Sequence, residues 1–309
     1  MTTKRETKFG IAIPQKFPDG VVDTRYIADF LARVEGLGYD SAWVGEGVFG
    51  RAPNLEPFPL LSYAAALTAR VKLGVSALTS AFWNPIFLAK AVASLDQLSN
   101  GRFILGVTVG VHREHYPAFG LRPEDRLSRF VEGLALMKQL WTSDDVTFRG
   151  KFWEMEGVSI SPRPAQRPHP PVWFGARALP ALRRSVKSGD GWMGSGATST
   201  EEFREHVRIL REMMEEEGKG QDRFPLSKRV YVALDPDKPR ALRRLEEMMG
   251  FIYGDPTLAS KVAVYGDRVE VSEGLREVMA EGIDLVLLAP AFDPRGQAEL
   301  LAEQVIPGL

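Results

Sequence analysis

The chain has 309 residues, 44% of them hydrophobic and 26% charged, the composition of an ordinary globular protein. Its 39 basic and 40 acidic side chains leave a net charge of −1, which excludes a disordered charged tail and gives no electrostatic footprint for nucleic acid. Cysteine is absent, which excludes disulfides, thiolate metal sites and a cysteine nucleophile.

Lys4 and Arg5 are followed by Glu6 and Lys8 rather than by an apolar run, so no signal peptide is read. The apolar stretch at 58–67 is too short to span a bilayer, and a soluble cytoplasmic protein without membrane contact is expected. Short β-like runs then alternate with amphipathic helices. The first run, 9–14, precedes a helix with Asp23 as N-cap and Ile27, Phe30, Leu31 and Val34 at helical spacing, ended by Gly38. A strand at 41–44, a Pro/Gly loop and a helix over 58–70 follow. The third strand is 71–80, and Asn84-Pro85 opens the next helix, which Asn100-Gly101 ends. Residues 102–109 read as strand four.

A longer helix carries Phe130, Leu134, Met137, Leu140 and Trp141. The rhythm breaks over 142–171, where 146–155 reads as a hairpin turning at Arg149-Gly150 and a Pro-rich linker follows. Strand five is 172–174, its helix about 180–188, and strand six lies around Trp192-Met193. Ser199-Thr200-Glu201-Glu202 forms a capping box. Strand seven is 229–234, helical material covers 238–263, the last strand is 284–289, and a final helix runs from Arg295 to about Gln304. Several of these eight strands are too continuously apolar for a half-exposed antiparallel sheet. An α/β architecture follows: a single (β/α)8 TIM barrel over 1–309, with an open doubly wound sheet as the alternative.

Two stretches match G-x-G-x-x-G by letters, at 45–50 and 189–194. The first enters a Pro-rich loop and the second precedes its strand, so neither reads as a dinucleotide site. His112, Glu114 and His115 follow strand four, at the barrel face where chemistry is placed. A catalytic metal needs three converging ligands with an open position, and no metal site is assigned; proton transfer or substrate contact by His112 is the alternative carried forward. Glu46 follows strand two at the same face. No nucleophile elbow, P-loop or Ser/His/Asp order is present. Trp43, Phe82, Trp83, Phe103, Phe174 and Trp192 crowd the strands and their ends, where a core explains some and a pocket for a flat ring the others.

An ordered set of motifs extends across nearly the whole chain. It comprises GYDSAWV at 38–44, LGVSALT at 73–79, Asn84-Pro85 with LAK at 88–90, and LDQLSNGR at 95–102 with Gly106. PRP at 162–164, PVWFG at 171–175 and DGW at 190–192 complete it. In this order the motifs resemble the bacterial luciferase-like flavin and deazaflavin oxidoreductases. The resemblance implies a barrel with an insertion after its fourth helix, where the 142–171 interruption falls. It implies a non-prolyl cis peptide at Ser76-Ala77 on which the ring of the cofactor lies, and Thr108 beside the ring's reactive edge. It places the cofactor's phosphate near Gly175-Ala176-Arg177 and Gly194-Ser195, where main-chain N–H groups open onto a helix N-terminus and Arg177 adds charge. The implied cofactor is coenzyme F420 or FMN, with a slight lean to F420. The implied reaction is hydride transfer to, or oxygenation of, a small organic substrate, and the implied assembly is a homodimer.

The chain also departs from the family. Ala176 stands where a second glycine is common. After strand two, where many deazaflavin members have Asp-His and light-emitting ones Glu-His-His, it reads Glu46-Gly47-Val48. Val111 replaces the glutamate of the sugar-phosphate dehydrogenase branch. The light-emitting and sugar-phosphate reactions are therefore disfavoured, and His112, Glu46 and Thr108 are the candidate catalytic residues. The missing imidazole leaves a non-catalytic flavin-binding homologue as one competing reading, with a metal-dependent barrel hydrolase as the other.

Overall fold

A computed structural model describes residues 6–17, 20–49, 54–110, 112–220 and 224–309. Strand β1 (Lys8–Ala12) leads into helix α1 (Thr24–Gly36), where the Asp23 side chain accepts a hydrogen bond from the Tyr26 N–H and Ile27, Phe30, Leu31 and Val34 are buried. Gly38 ends this unit at φ +83°, a conformation that L side chains rarely adopt. β2 (Ser41–Val44), α2 (Pro57–Leu67), β3 (Lys72–Thr79), α3 (Pro85–Leu98), β4 (Phe103–Thr108) and α4 (Arg126–Thr142) continue the alternation. Asn84 caps α3 by accepting from the Ile86 N–H, with Pro85 in the first turn.

The interruption after α4 is an antiparallel hairpin, β5 (Val146–Arg149) and β6 (Glu154–Val158), followed by the Pro-rich linker. The buried Asp96 anchors that linker: its two oxygens accept from the Gln166 main-chain N–H at 2.8 Å and side-chain amide at 2.7 Å. The chain then runs through β7 (Val172–Gly175), α5 (Leu179–Ser188), β8 (Gly191–Gly194), α6 (Thr200–Glu216), β9 (Leu226–Leu234) and α7 (Lys238–Tyr253). It ends with α8 (Ala259–Val262), β10 (Val264–Gly266), α9 (Arg268–Met279), β11 (Leu285–Pro290) and α10 (Pro294–Leu300).

Strands β1, β2, β3, β4, β7, β8, β9 and β11 pair in parallel and close into a ring through β8 and β9. The closed barrel is the expected fold, and the open sheet is excluded. Two elements escaped the sequence reading. β10 is a three-residue strand pairing with β9, too short to leave a pattern. The material over 238–263 is broken at Gly254, which has φ +72°, and the amphipathic α9 follows it. The final helix is α-helical only to Leu300, and a π turn and a 3-10 turn finish the chain.

The barrel interior is filled by Trp43, Ile104, Trp173, Met193, Leu285 and Leu287. The Trp43 and Trp173 rings lie 5.6 Å apart, and a Cβ on Gly191 would sit 2.7 Å from the Trp173 ring. The DGW motif thus makes room for an indole, and the 189–194 stretch leads into and forms strand β8 (Gly191–Gly194) rather than a nucleotide loop. Among the described residues no helix is long and apolar enough to cross a membrane.

Candidate active site

At the C-terminal mouth of the barrel the ladder between β3 and β4 slips. Val75 pairs with Leu105, but the next pair is Leu78 with Val107, so Ser76 and Ala77 bulge out of the sheet, half-exposed, and the bond between them is cis. They line a cavity of about 690 Å³, together with Thr108, Gly175, Ala176, Arg177, Gly194 and Ser195. Eight of the positions singled out for cofactor binding therefore share one cavity. Four arginines line it, Arg126, Arg177, Arg184 and Arg229, and among the described residues no acidic one does.

The N-terminus of α5 opens on the same cavity. Its N-cap, Ala178, offers no side-chain acceptor; Pro180 has no N–H and the Ala181 N–H donates to Ala178 O at 2.8 Å, so the first turn offers an anion the Leu179 N–H and the positive end of the helix dipole. Arg177 is partly committed, since its guanidinium donates to Glu202 at 3.0 Å, but it still lines the cavity. The opposite wall, the 195–198 loop, is held from beneath by Lys228, whose ammonium donates to Thr198 O at 2.9 Å and to Thr198 Oγ1 at 3.1 Å. Burial pulls that lysine down to about 7.

A second cavity of about 650 Å³ adjoins the first, and Thr108 and Gly110 line both. Thr108 Oγ1 accepts from the Gly110 N–H at 3.3 Å, which leaves its own O–H as a donor. His112 lies on the wall of the second cavity, exposed, with Nδ1 2.9 Å from a Glu114 oxygen and its ring stacked on His115 at 5.0 Å. The Glu114 carboxylate is held below the usual range, first by its own backbone N–H and then by His112. Ligand atoms of His112, Glu114 and His115 lie within 4.8 Å of one another on this exposed turn.

Glu46 also faces the second cavity, but in different surroundings from those expected of a free loop carboxylate. One oxygen accepts from the Thr79 N–H at 2.6 Å and the other from the Trp83 indole at 3.0 Å, so the side chain ties the end of β2 to the end of β3. Of the aromatic residues, Trp43, Phe103 and Trp192 are core, whereas Phe82 lines the second cavity and Phe174 the first. Val111 lies outside the described residues.

Sequence reasoning missed Arg229, Lys16, Arg126, Arg184 and Phe251, all of which line the two cavities. A signal for the first was present: Lys228-Arg229 puts two adjacent cations in an otherwise apolar strand, where alternation sends them to opposite faces. Lys228 goes outward, 4.9 Å from the Phe203 ring, and Arg229 goes to the mouth.

The chain is 30% identical to an F420-dependent glucose-6-phosphate dehydrogenase of Kineococcus radiotolerans over 70% of its length, and the match spans 66% of that relative. It is 32% identical to the oxygenase component of a flavin-dependent trigonelline monooxygenase of Acinetobacter baylyi over 49% of its length and 43% of the relative's. Its fold superposes on an F420-dependent secondary alcohol dehydrogenase with a TM-score of 0.85 at 20% identity, over 98% of this chain and 99% of the other. The luciferase-like monooxygenase family as a whole matches residues 7–297, and the chain belongs to it.

Proposed function

We propose that this protein is an oxidoreductase that holds coenzyme F420 or reduced FMN in the 690 Å³ cavity and acts on a small organic substrate in the adjoining one. The observation that carries this reading is the cavity itself, floored by the Ser76–Ala77 bulge, lined by arginines with no acid among the described residues, and ending at a helix N-terminus without a side-chain cap. A flat ring ending in a phosphate fits that distribution of shape and charge. The F420-dependent relatives support the lean to F420, and the flavin-dependent one keeps FMN in view. When bound, either cofactor supplies the two-electron chemistry, as hydride exchange for F420 or as activation of dioxygen for reduced FMN.

The chain's own residues bind, orient and move protons. Ser76 and Ala77 support one face of the ring, and Gly175, Ala176, Arg177, Gly194 and Ser195 surround the phosphate. Thr108 donates its O–H to the ring edge from the wall between the cavities. Glu46 fixes Thr79 and Trp83 beside that edge. With both of its oxygens engaged, proton transfer falls to His112, which Glu114 orients through Nδ1, leaving Nε2 for the substrate side. The imidazole missing at Gly47 is thereby supplied from the loop after β4. The barrel and its 142–171 insertion act as one unit, which we place in the cytoplasm. The exposed Tyr63, Leu67, Phe87 and Leu98 of α2 and α3 support a homodimer.

Fluorescence titration with F420 and FMN, each oxidised and reduced, tests the reading: saturable binding of at least one cofactor is expected, with turnover when a substrate is supplied. Binding without turnover would favour the non-catalytic role. His112→Ala is expected to slow turnover by about 100-fold or more, with cofactor affinity unchanged. Unchanged turnover would remove His112 from the proton path.

A further inference from the structure

Arg229 crosses the barrel mouth. Its Cγ lies 3.2 Å from where a Cβ on Gly196 would stand, and its Nη1 lies 3.9 Å from the corresponding point on Gly45, which is itself 3.9 Å from Ser76 O. The side chain therefore spans from the end of β8 to the end of β2 and arrives beside the bulge. Its Nε is buried without a hydrogen-bond partner, and among the described residues Arg229 forms no ion pair. Lys16, just beyond β1, lines the second cavity where Arg229 lines the first; its neighbour Gln15 donates to Gly45 O at 2.8 Å, on the residue that Arg229 reaches, and its ammonium lies 5.3 Å from the Phe251 ring. Crowding by protein atoms and the Arg229 charge lower it to about 8, although the side chain is open to the second cavity. Glu46 is the one acid lining either cavity among the described residues, and both its oxygens are already engaged. The mouth thus presents a guanidinium unpaired among the described residues, with its Nε buried, and an exposed ammonium to any anion that enters.

One side of the second cavity has a different chemistry, apart from the polar wall of Thr79, Thr108, His112 and His115. Val48, Phe49, Phe82, Phe251 and Ile252 line it, and Val48, Phe49 and Phe251 are about half exposed at 54%, 49% and 48%. Phe82 stacks on Phe119 at 4.3 Å, extending this apolar surface inward. Such a side suits a hydrocarbon or aromatic body. We infer that the substrate is an apolar organic acid whose carboxylate is taken by Arg229 and Lys16 while its body lies against the phenylalanine side of the second cavity. A guanidinium fork matches a carboxylate in two parallel hydrogen bonds, which makes Arg229 a specificity-determining residue.

This inference deepens the proposed function and rests on it for the word substrate, but binding is measurable without turnover. The probes are 1-naphthoate, its neutral amide and glucose 6-phosphate, titrated by calorimetry into the protein with and without bound cofactor. Wild-type protein is expected to bind naphthoate at least about 10-fold more tightly than the amide and more tightly than the sugar phosphate. Arg229→Leu and Lys16→Met should each erode the preference for the acid over the amide, and Arg229→Lys should restore part of it. Equal binding of acid and amide, or tighter binding of glucose 6-phosphate, would overturn the inference. So would an Arg229→Leu variant that keeps the preference and loses cofactor affinity, because the guanidinium would then serve the cofactor. Failure of both cofactors to bind while naphthoate still discriminates would count against the proposed function and leave the acid subsite standing.

Discussion

Gly175→Val is expected to weaken cofactor binding by about 30-fold or more, equivalent to about 2 kcal/mol, while the thermal midpoint stays within a degree or two of wild type. Gly175 ends β7 at the point where strand and cavity meet. A Cβ built there stands 3.5 Å from the Ala77 Cβ and 3.8 Å from the Thr108 Cβ, ordinary contact distances that the fold accepts. Gly175 is also not among the glycines with positive φ, so a side chain brings no backbone strain. The two methyl groups of valine would stand in the space between the ring floor and the Thr108 wall. Gly194 behaves differently, because a Cβ there would lie 2.6 Å from the Phe203 ring, so its substitution damages packing rather than binding. Titrating the cofactor against Gly175→Val, with a thermal melt in parallel, separates the two effects. Wild-type affinity in the variant would mean that the ring lies elsewhere.

Arg102→Met should destabilise the fold by about 3 kcal/mol, read as a shift of the denaturant midpoint, with cofactor affinity unchanged in the protein that remains folded. Arg102 follows the Asn100-Gly101 turn, half-buried, and gathers main-chain carbonyls from two directions. Its guanidinium donates to Ala65 O at 3.1 Å, Thr68 O at 2.9 Å and Val71 O at 2.7 Å, satisfying the end of α2 and the start of β3, and to Ser99 O at 2.7 Å. It also reaches Thr68 Oγ1 at 2.8 Å. Methionine keeps the aliphatic stem and removes every one of these donors, leaving inward-facing carbonyls unpaired. A shift below about 0.5 kcal/mol would mean that water replaces the guanidinium without cost.

The LDQLSNGR motif, one of the ordered set that marks the family, is thus largely structural, and local backbone chemistry of this kind explains much of what was legible in the sequence. Asn84, Asp23, Gly38 and Asn100-Gly101 act through local backbone chemistry, and each does in the structure what its residue type implies. The eight barrel strands were legible because burial on both faces gives continuous apolar runs. β10 and the break at Gly254 were not, because three residues carry no period and an isolated glycine is ambiguous within helical spacing.

The mouth of the barrel was legible only where the family motifs named it. Ser76, Ala77, Thr108 and the 175–177 and 194–195 turns meet in one cavity, which no local pattern in the sequence demands. Glu46 shows the limit in the other direction. Its position after β2 was readable, but its partners, Thr79 and Trp83, come from a segment more than thirty residues away. Arg229 and Lys16 were overlooked for a related reason, since a cation in a strand or loop becomes informative only when the carboxylates around it are known to be elsewhere.

The most direct test of the central claim, that the cavity between the β3 bulge and the start of α5 holds a ring at one end and a phosphate at the other, is to remove the phosphate from the ligand. Affinities for FMN and riboflavin, and for F420 and its phosphate-free chromophore, should be measured on the same protein. The account predicts a preference of about 100-fold for the phosphorylated form of whichever cofactor binds, reduced by high salt. Equal affinity for the two forms would contradict it.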